Sequence, residues 1–202
     1  MTSSKTSGKH PSPETVLTHF GRQAGDHFGF VNTPVFRGST VLFKTLDELD
    51  NHDAPYRYGR NDNPTSRSVA TLVTELEGAK GTVLAPSGLA AISTALLAVL
   101  NAGDEILVTD SCYEPTRNFC SETLKRLGIA ARFYDPRIGS GIEALFSERT
   151  KVVFVESPGS LTFEVQDLPA IVAAARTREL IVVVDNSWAT PLFHRLLTLG
   201  AD

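Results

Sequence analysis

The feature that most constrains the fold is an apolar run that ends in a single acid. Residues 180–188 read LIVVVDNSW. The run is too short for a helix and does not alternate apolar with polar residues, which is typical of a strand buried on both faces of a parallel sheet. In open α/β sheets, ligands bind outside the carboxyl ends of the strands, where Asp185 would lie. Asp185 could equally be a helix cap or a turn former, because Asp, Asn and Ser all serve those roles.

Strand and helix patterns alternate from residue 82 to the end of the chain. Strands are predicted at residues 82–85, 106–109, 130–134, 151–156 and 180–184. Helices are predicted from Ser66 to Gly78 and at residues 89–100, 116–127, 142–146, 167–178 and 191–199. This alternation predicts βαβ units, and therefore an α/β fold with a mainly parallel sheet and helices on both faces.

The N-terminal part of the chain has a different character. Residues 1–13 are polar and are predicted to be a disordered lead-in. Residues 14–65 are interrupted by Gly and Pro, which predicts an irregular arm that packs on another surface, such as a partner subunit. Residues 66–202 would form the α/β domain, and a sheet this apolar would normally continue beyond Asp202.

Composition excludes several classes of function. The 202 residues carry a net charge of −4 with mixed signs, so no basic surface for nucleic acid is expected. The apolar runs are too short to span a membrane, and no apolar segment near the N-terminus indicates a secretory signal. The five histidines are scattered without metal-ligand spacing, so no metal is predicted. Cys112 and Cys120 lack CxxC spacing, which favours reduced thiols in a cytoplasmic protein.

Two strand-to-helix junctions could contact a ligand together with Asp185. At Ser87-Gly88-Leu89, free N–H groups at the start of a helix could bind a phosphate, although a plain turn capped by Ser87 explains the same residues. Tyr113 follows the strand at 106–109 and could cover a planar ligand or simply pack on the surface.

A phosphate site, an aromatic ring and a carboxylate on neighbouring strand ends suit pyridoxal phosphate. A carboxylate beside its ring nitrogen favours the protonated form, which withdraws electrons from the reacting carbon. A nucleotide-binding α/β domain is the weaker hypothesis, because neither glycine-rich fingerprint is present. A polar turn, ESPGS at residues 156–160, also follows a buried strand.

Several motifs resemble those of the Cys/Met-metabolism family of pyridoxal-phosphate enzymes. VVVDNSWATPLF resembles the family's DNTWATP signature, with Ser187 in place of the usual Thr. The resemblance runs from about Thr18 to Asp202. It also includes VNTPVFRGSTVLF, YRYGRNDNPT, PSGLAAISTALLAVLNAGD, YEPTRNFC and ESPGSLTFEVQDLPAI. The forms YEPTRNFC and ESPGS most resemble the bacterial cystathionine β-lyase branch.

The resemblance implies a role for each matching residue. Asp185 would pair with the pyridine nitrogen, Tyr113 would stack on the cofactor ring, and Ser187 would lie against the ring face. Gly88 and Leu89 would bind the phosphate through their main-chain N–H groups. Tyr58 and Arg60 match a motif that reaches the phosphate of the neighbouring subunit, which implies a homodimer or homotetramer with shared sites. Tyr113 and Tyr58 are the residues predicted to take part in catalysis.

The resemblance also implies a fold and an activity. The fold would be the large domain of fold type I pyridoxal-phosphate transferases, incomplete at its C-terminal side. The activity would be cleavage of cystathionine to homocysteine, pyruvate and ammonia, a step of methionine biosynthesis. The family's Schiff-base lysine would lie beyond Asp202, so the expectation is an N-terminal fragment that is inactive alone. The alternatives are a cystathionine γ-synthase, a methionine γ-lyase, a cysteine desulfhydrase or a non-catalytic remnant.

Overall fold

The computed structural model describes residues 11–52 and 54–202 of the chain. These residues divide into two compact units, one that ends at Leu84 and one that begins at Ala85. Most of the predicted lead-in, residues 1–13, lies outside the described residues.

The first unit contains helices joined by irregular segments. The helices are α1 (Pro13–His19), α2 (Leu46–Asp50) and α3 (Pro64–Glu77), and a 3-10 turn covers Ala24–His27. Helix α3 begins where the Asn63 side chain accepts hydrogen bonds from the N–H groups of Thr65 and Ser66. It ends at Gly78, whose positive φ of 65° suits glycine. The predicted arm, residues 14–65, falls in this unit.

The second unit is built on a four-stranded parallel sheet. Its strands are β1 (Glu105–Thr109), β2 (Ala130–Tyr134), β3 (Thr150–Glu156) and β4 (Ile181–Asp185), in the order β2-β1-β3-β4. Its helices are α4 (Gly88–Val99), α5 (Glu114–Asn118), α6 (Leu168–Arg176) and α7 (Thr190–Phe193), with a π-helical turn at Phe119–Leu124 and 3-10 turns at Gly139–Leu145 and Leu196–Leu199. Every strand pair is parallel, as the alternating pattern predicts.

Strand β3 explains why the apolar runs show no alternation. Val153 and Val155 lie in a core cluster with Ile171 of α6, whereas Phe154 lies in a second cluster with Leu96 of α4. Alternate side chains of a strand point to opposite faces, so helices cover both faces of this sheet. The predicted α/β class with a buried parallel sheet is therefore confirmed.

Several secondary-structure predictions need correction. The short helix predicted at residues 142–146 is a 3-10 turn at Gly139–Leu145. Residues 82–85 are not a strand in the structure, and the Val83 side chain is 92% exposed. Their β-branched residues fit a strand, but no described strand pairs with them, and a strand exists only with a partner. The helix predicted at residues 191–199 is two short pieces, α7 and the 3-10 turn at Leu196–Leu199.

Candidate functional site

Three acidic or aromatic residues lie at the carboxyl edge of the sheet. Strands β1, β3 and β4 are neighbours and run in the same direction, so their carboxyl ends lie at one edge. Tyr113 belongs to the loop after β1, Glu156 is the last residue of β3, and Asp185 is the last residue of β4. The structure therefore places Tyr113 and Asp185 at the same edge, with Glu156 on the strand between them.

The Glu156 carboxylate links the β1 loop to the end of β3. Its Oε2 accepts a hydrogen bond of 2.7 Å from the main-chain N–H of Tyr113. In the β3–β4 register, Glu156 lies opposite Asp185. Burial, with a smaller contribution from the negative charge of Asp185, raises the pKa of Glu156 to about 7, although the hydrogen bond from the Tyr113 N–H opposes the rise. Glu156 therefore gains and loses its proton near neutral pH.

A second hydrogen bond joins the loops that follow β1 and β3. The main-chain N–H of Ser160 donates to the Ser111 carbonyl oxygen at 2.7 Å. Gly159 lies against Ser111 so closely that a Cβ atom there would be 2.5 Å from the Ser111 Cβ. The loops after β1 and β3 consequently form one packed surface, and the position of Tyr113 depends on both.

Tyr113 and Asp185 remain accessible at this edge. Half of the Tyr113 side chain, 49%, is exposed, which leaves its ring free to contact a planar ligand. Oδ1 of Asp185 accepts the N–H of Ser187 at 2.9 Å, which fixes the turn after β4. Ser187 is exposed, and Trp188 packs edge-on against Phe163 with ring centres 5.0 Å apart.

The start of α4 supplies hydrogen-bond donors. The Ser87 hydroxyl oxygen accepts the N–H of Ala90 at 3.1 Å, so Ser87 caps the helix as expected. Among the described residues, the N–H groups of Gly88 and Leu89 have no acceptor. A Cβ atom at Gly88 would meet nothing within 4 Å, so the space beside these donors is open. Helix α4 packs against α5 and β4, the elements that carry Tyr113 and Asp185.

Tyr58 and Arg60 lie in the first unit. Within that unit the Arg60 guanidinium lies 4.7 Å from the centre of the Tyr58 ring. Tyr58 also forms an isolated antiparallel bridge with Thr40. Their assignment to a phosphate of a neighbouring subunit rests on the resemblance and stays a prediction.

The donors in the second unit fit pyridoxal phosphate chemically. Free N–H groups at the first turn of a twelve-residue helix suit a phosphate. The accessible aromatic ring suits a planar ring, and the Asp185 carboxylate suits a protonated nitrogen. The part of the chain that the structure describes contains no group of three or more His, Cys, Asp or Glu that could hold a metal ion.

Glu156 is the residue that the sequence reasoning missed. In the sequence, Glu156 stands out only as the first residue of the polar ESPGS turn. A signal was present, because Glu156 ends a buried apolar strand just as Asp185 does. Parallel strands place such terminal acids at the same edge, so the two could have been paired.

Comparisons with known proteins show the family to which the chain belongs. Residues 14–202 match the family model described as Cys/Met metabolism PLP-dependent enzyme, and the chain belongs to that family. The family depends on pyridoxal 5′-phosphate, which makes this the expected cofactor.

Two relatives and one solved structure are similar to this chain over most of its length. The chain is 47% identical to a putative cystathionine β-lyase of Rhizobium johnstonii over 188 residues, which is 93% of this chain and 48% of that protein. It is 39% identical to the cystathionine β-lyase of Escherichia coli over 197 residues, 94% of this chain and 50% of that protein. A crystal structure of a cystathionine γ-lyase from Lactobacillus plantarum, complexed with L-serine, superposes with a TM-score of 0.88 at 29% identity, over 95% of this chain and 49% of that one.

The chain thus spans about half the length of the relatives that it matches. The structural likeness confirms the fold type I architecture of the second unit's sheet and helices. No helix in the described part of the chain is long and apolar enough to cross a membrane.

Proposed function

We propose that this chain supplies the cofactor-binding part of a pyridoxal-phosphate-dependent lyase that cleaves cystathionine at its Cβ–S bond. The products would be homocysteine, pyruvate and ammonia. One observation carries the proposal: Asp185 and the half-exposed Tyr113 ring lie at one sheet edge, and the helix with two free N–H groups packs on the elements that carry them. The similarity to cystathionine β-lyases supports the choice of substrate.

Each residue of the site would have a separate task. Gly88 and Leu89 would donate their N–H groups to the phosphate. Tyr113 would cover one face of the ring, and Ser187 would lie against it. Asp185 would hold a proton at the ring nitrogen, because an opposite charge in contact stabilises the cation. When bound, the cofactor supplies an electron-withdrawing ring that stabilises negative charge at the substrate Cα.

The test compares two aspartates that follow strands of the same sheet. Asp185→Asn removes the proposed partner of the ring nitrogen, whereas Asp135→Asn changes an exposed aspartate just after β2. The assay adds cystathionine and pyridoxal phosphate to the full gene product and measures pyruvate. We expect Asp185→Asn to lower pyruvate release about 100-fold, since an uncompensated charge at the site costs about 3 kcal/mol. Equal activity of the two variants would refute the proposed role of Asp185.

The same assay separates the alternative activities. Cleavage at Cβ–S releases pyruvate, whereas cleavage at Cγ–S of cystathionine releases 2-oxobutyrate and cysteine. The likeness to the Lactobacillus plantarum cystathionine γ-lyase keeps a γ-lyase as the second candidate. Predominant 2-oxobutyrate would favour the γ-branch. Cofactor binding without any keto acid would favour a non-catalytic role.

We further propose a homodimer or homotetramer in which Tyr58 and Arg60 reach a neighbouring subunit's cofactor phosphate. Large apolar side chains in the first unit support a covering partner, such as Phe28, which is 98% exposed, and Leu42, which is 88% exposed. Mixing inactive Arg60→Ala and Asp185→Ala subunits should restore up to about a quarter of the activity, because one of the shared sites would then be intact. Failure to restore activity in a proven mixed oligomer would contradict shared sites.

A cytoplasmic location stays a prediction, in keeping with two free cysteines.

A further inference from the structure

Glu156 is buried, contacts the loop after β1 and lies opposite Asp185 in the strand register. Glu156 is only 5% exposed, so its carboxylate lies inside the protein. A buried carboxylate is costly unless it has a partner, and the partner in the structure is the main-chain N–H of Tyr113 at 2.7 Å. Because burying a carboxylate costs free energy, we expect Glu156 to have a role other than filling space.

The main chain of Glu156 is fixed from the opposite side. Nε2 of Gln166 donates to the Glu156 carbonyl oxygen at 2.7 Å, and the Gln166 N–H donates to the Ser157 hydroxyl oxygen at 3.0 Å. Gln166 is itself buried, and its Oε1 accepts a hydrogen bond from the Tyr134 hydroxyl. Because these hydrogen bonds fix its main chain, the Glu156 side chain reaches the loop after β1 from a fixed position.

We propose that Glu156 is a positioning residue, which holds the Tyr113 ring at the cofactor site by accepting the Tyr113 N–H through its buried carboxylate. The proposal rests on the proposed function, because the ring that it positions is the one assigned to the cofactor. The Ser160–Ser111 hydrogen bond joins the same loops without Glu156, so loss of the carboxylate should release Tyr113 and leave the loops packed.

The proposal predicts that the Tyr113 contact depends on pH. A carboxylate accepts a stronger hydrogen bond than a neutral acid does, and the pKa of Glu156 is raised to about 7. The ionisable group that acts on Glu156 is Asp185, across the β3–β4 register, and Glu156 in turn acts on the Cys112 thiol of the β1 loop. Cys112 stays protonated at neutral pH, because burial raises its pKa to about 11. Arg117 and Asp110 form an ion pair at 2.6 Å and also act on Cys112.

The test follows the Tyr113 amide by NMR in the 202-residue chain without added cofactor. In the wild-type chain, the amide proton should move downfield as pH rises, with a midpoint near the Glu156 pKa of about 7. Glu156→Gln should abolish the movement, and Asp185→Asn should shift the midpoint to lower pH by removing a like charge. Glu114→Gln is the matched control, because Glu114 is an exposed acid next to Tyr113 and should leave the titration unchanged.

A second measurement adds pyridoxal phosphate itself and follows its absorbance. Glu156→Gln should weaken cofactor binding about tenfold, the equivalent of one charge-assisted hydrogen bond, while Glu114→Gln should bind as the wild type does. If the wild-type chain binds no cofactor, the proposed function fails and the amide titration still decides the role of Glu156. A Tyr113 amide that does not titrate in the wild-type chain, or that titrates unchanged in Glu156→Gln, would overturn the proposal. Should Glu156→Gln not fold, the absence of a Tyr113 amide titration near pH 7 in the wild-type chain would still overturn the proposal.

Discussion

Gly159→Ala should destabilise the second unit by about 2–4 kcal/mol, because the loops after β1 and β3 leave no room for one methyl group. The added Cβ would lie 2.5 Å from the Ser111 Cβ, and closer still to its Oγ. The hydroxyl could rotate away, but the Ser111 Cβ is fixed to its main chain, so the backbone must move. Overpacking of this kind costs about 1–3 kcal/mol. Strain in the 2.7 Å hydrogen bond from the Ser160 N–H to the Ser111 carbonyl adds about 1 kcal/mol.

Urea unfolding followed by circular dichroism measures this free energy. Gly141→Ala is the matched control, because its Cβ would meet only the Ile138 Cγ1, at an ordinary 3.4 Å. That control should be neutral or more stable by about 0.5 kcal/mol, since alanine lowers the entropy of the unfolded chain. Ser111→Gly removes the clashing atoms, so it should recover most of the loss in a Gly159→Ala background. The reasoning is refuted if Gly159→Ala is as stable as Gly141→Ala, or if the effects of Ser111→Gly and Gly159→Ala simply add.

Three further predictions follow from burial and charge. The folded protein holds a proton on Glu156 up to a pKa of about 7, against 4.5 for an ordinary glutamate, so the Glu156 contribution to stability falls as pH rises from about 5 to 8. Glu156→Gln should remove this fall in the free energy of unfolding, which amounts to at most about 3 kcal/mol. If the free energies of unfolding of the wild type and of Glu156→Gln change in parallel with pH, the fall does not come from Glu156. Phe154→Ala should lower the free energy of unfolding in urea by about 3–5 kcal/mol, because Phe154 is fully buried. The control Phe193→Ala should change it by less than about 0.5 kcal/mol, because Phe193 is 85% exposed. The buried thiols of Cys112 and Cys120, with pKa values raised to about 11 and about 12, should react with a disulfide reagent at pH 8 only as the protein unfolds; rapid labelling of the folded protein would contradict their burial.

Much of the sheet could be predicted from the sequence, because burial on both faces leaves a clear pattern. The runs predicted at residues 106–109, 130–134, 151–156 and 180–184 correspond to β1–β4 within about one residue at each end. Residues 82–85 carry a similar pattern and are not a strand, since propensity and burial signals do not provide a pairing partner. The order β2-β1-β3-β4 cannot be predicted in this way, because a local pattern does not say on which side of a strand its successor pairs.

The helical predictions show the same division between local and long-range causes. Helix α3 ends at Gly78 as predicted, because a glycine with positive φ is a local signal that stops a helix. The segment predicted as a helix at residues 116–127 begins earlier, at Glu114, with Pro115 in its first turn, and includes a π-helical turn at Phe119–Leu124. Buried Cys120 and Leu124 belong to that turn and pack in the cluster beneath α4. Such packing is decided by a distant element and leaves no mark on the local sequence.

The difference between Asp185 and Glu156 shows how far residue patterns can define a site. Both acids end an apolar strand, so the pattern that predicts a ligand-facing position for one predicts it for the other. What separates them is long-range: Glu156 contacts a main-chain N–H 43 residues away, whereas Asp185 bonds within its own turn. Burial of Glu156, helped by the negative charge of Asp185 on the adjacent strand, raises the pKa of Glu156 to about 7. That the two acids lie side by side follows from the strand register, which the sequence does not contain.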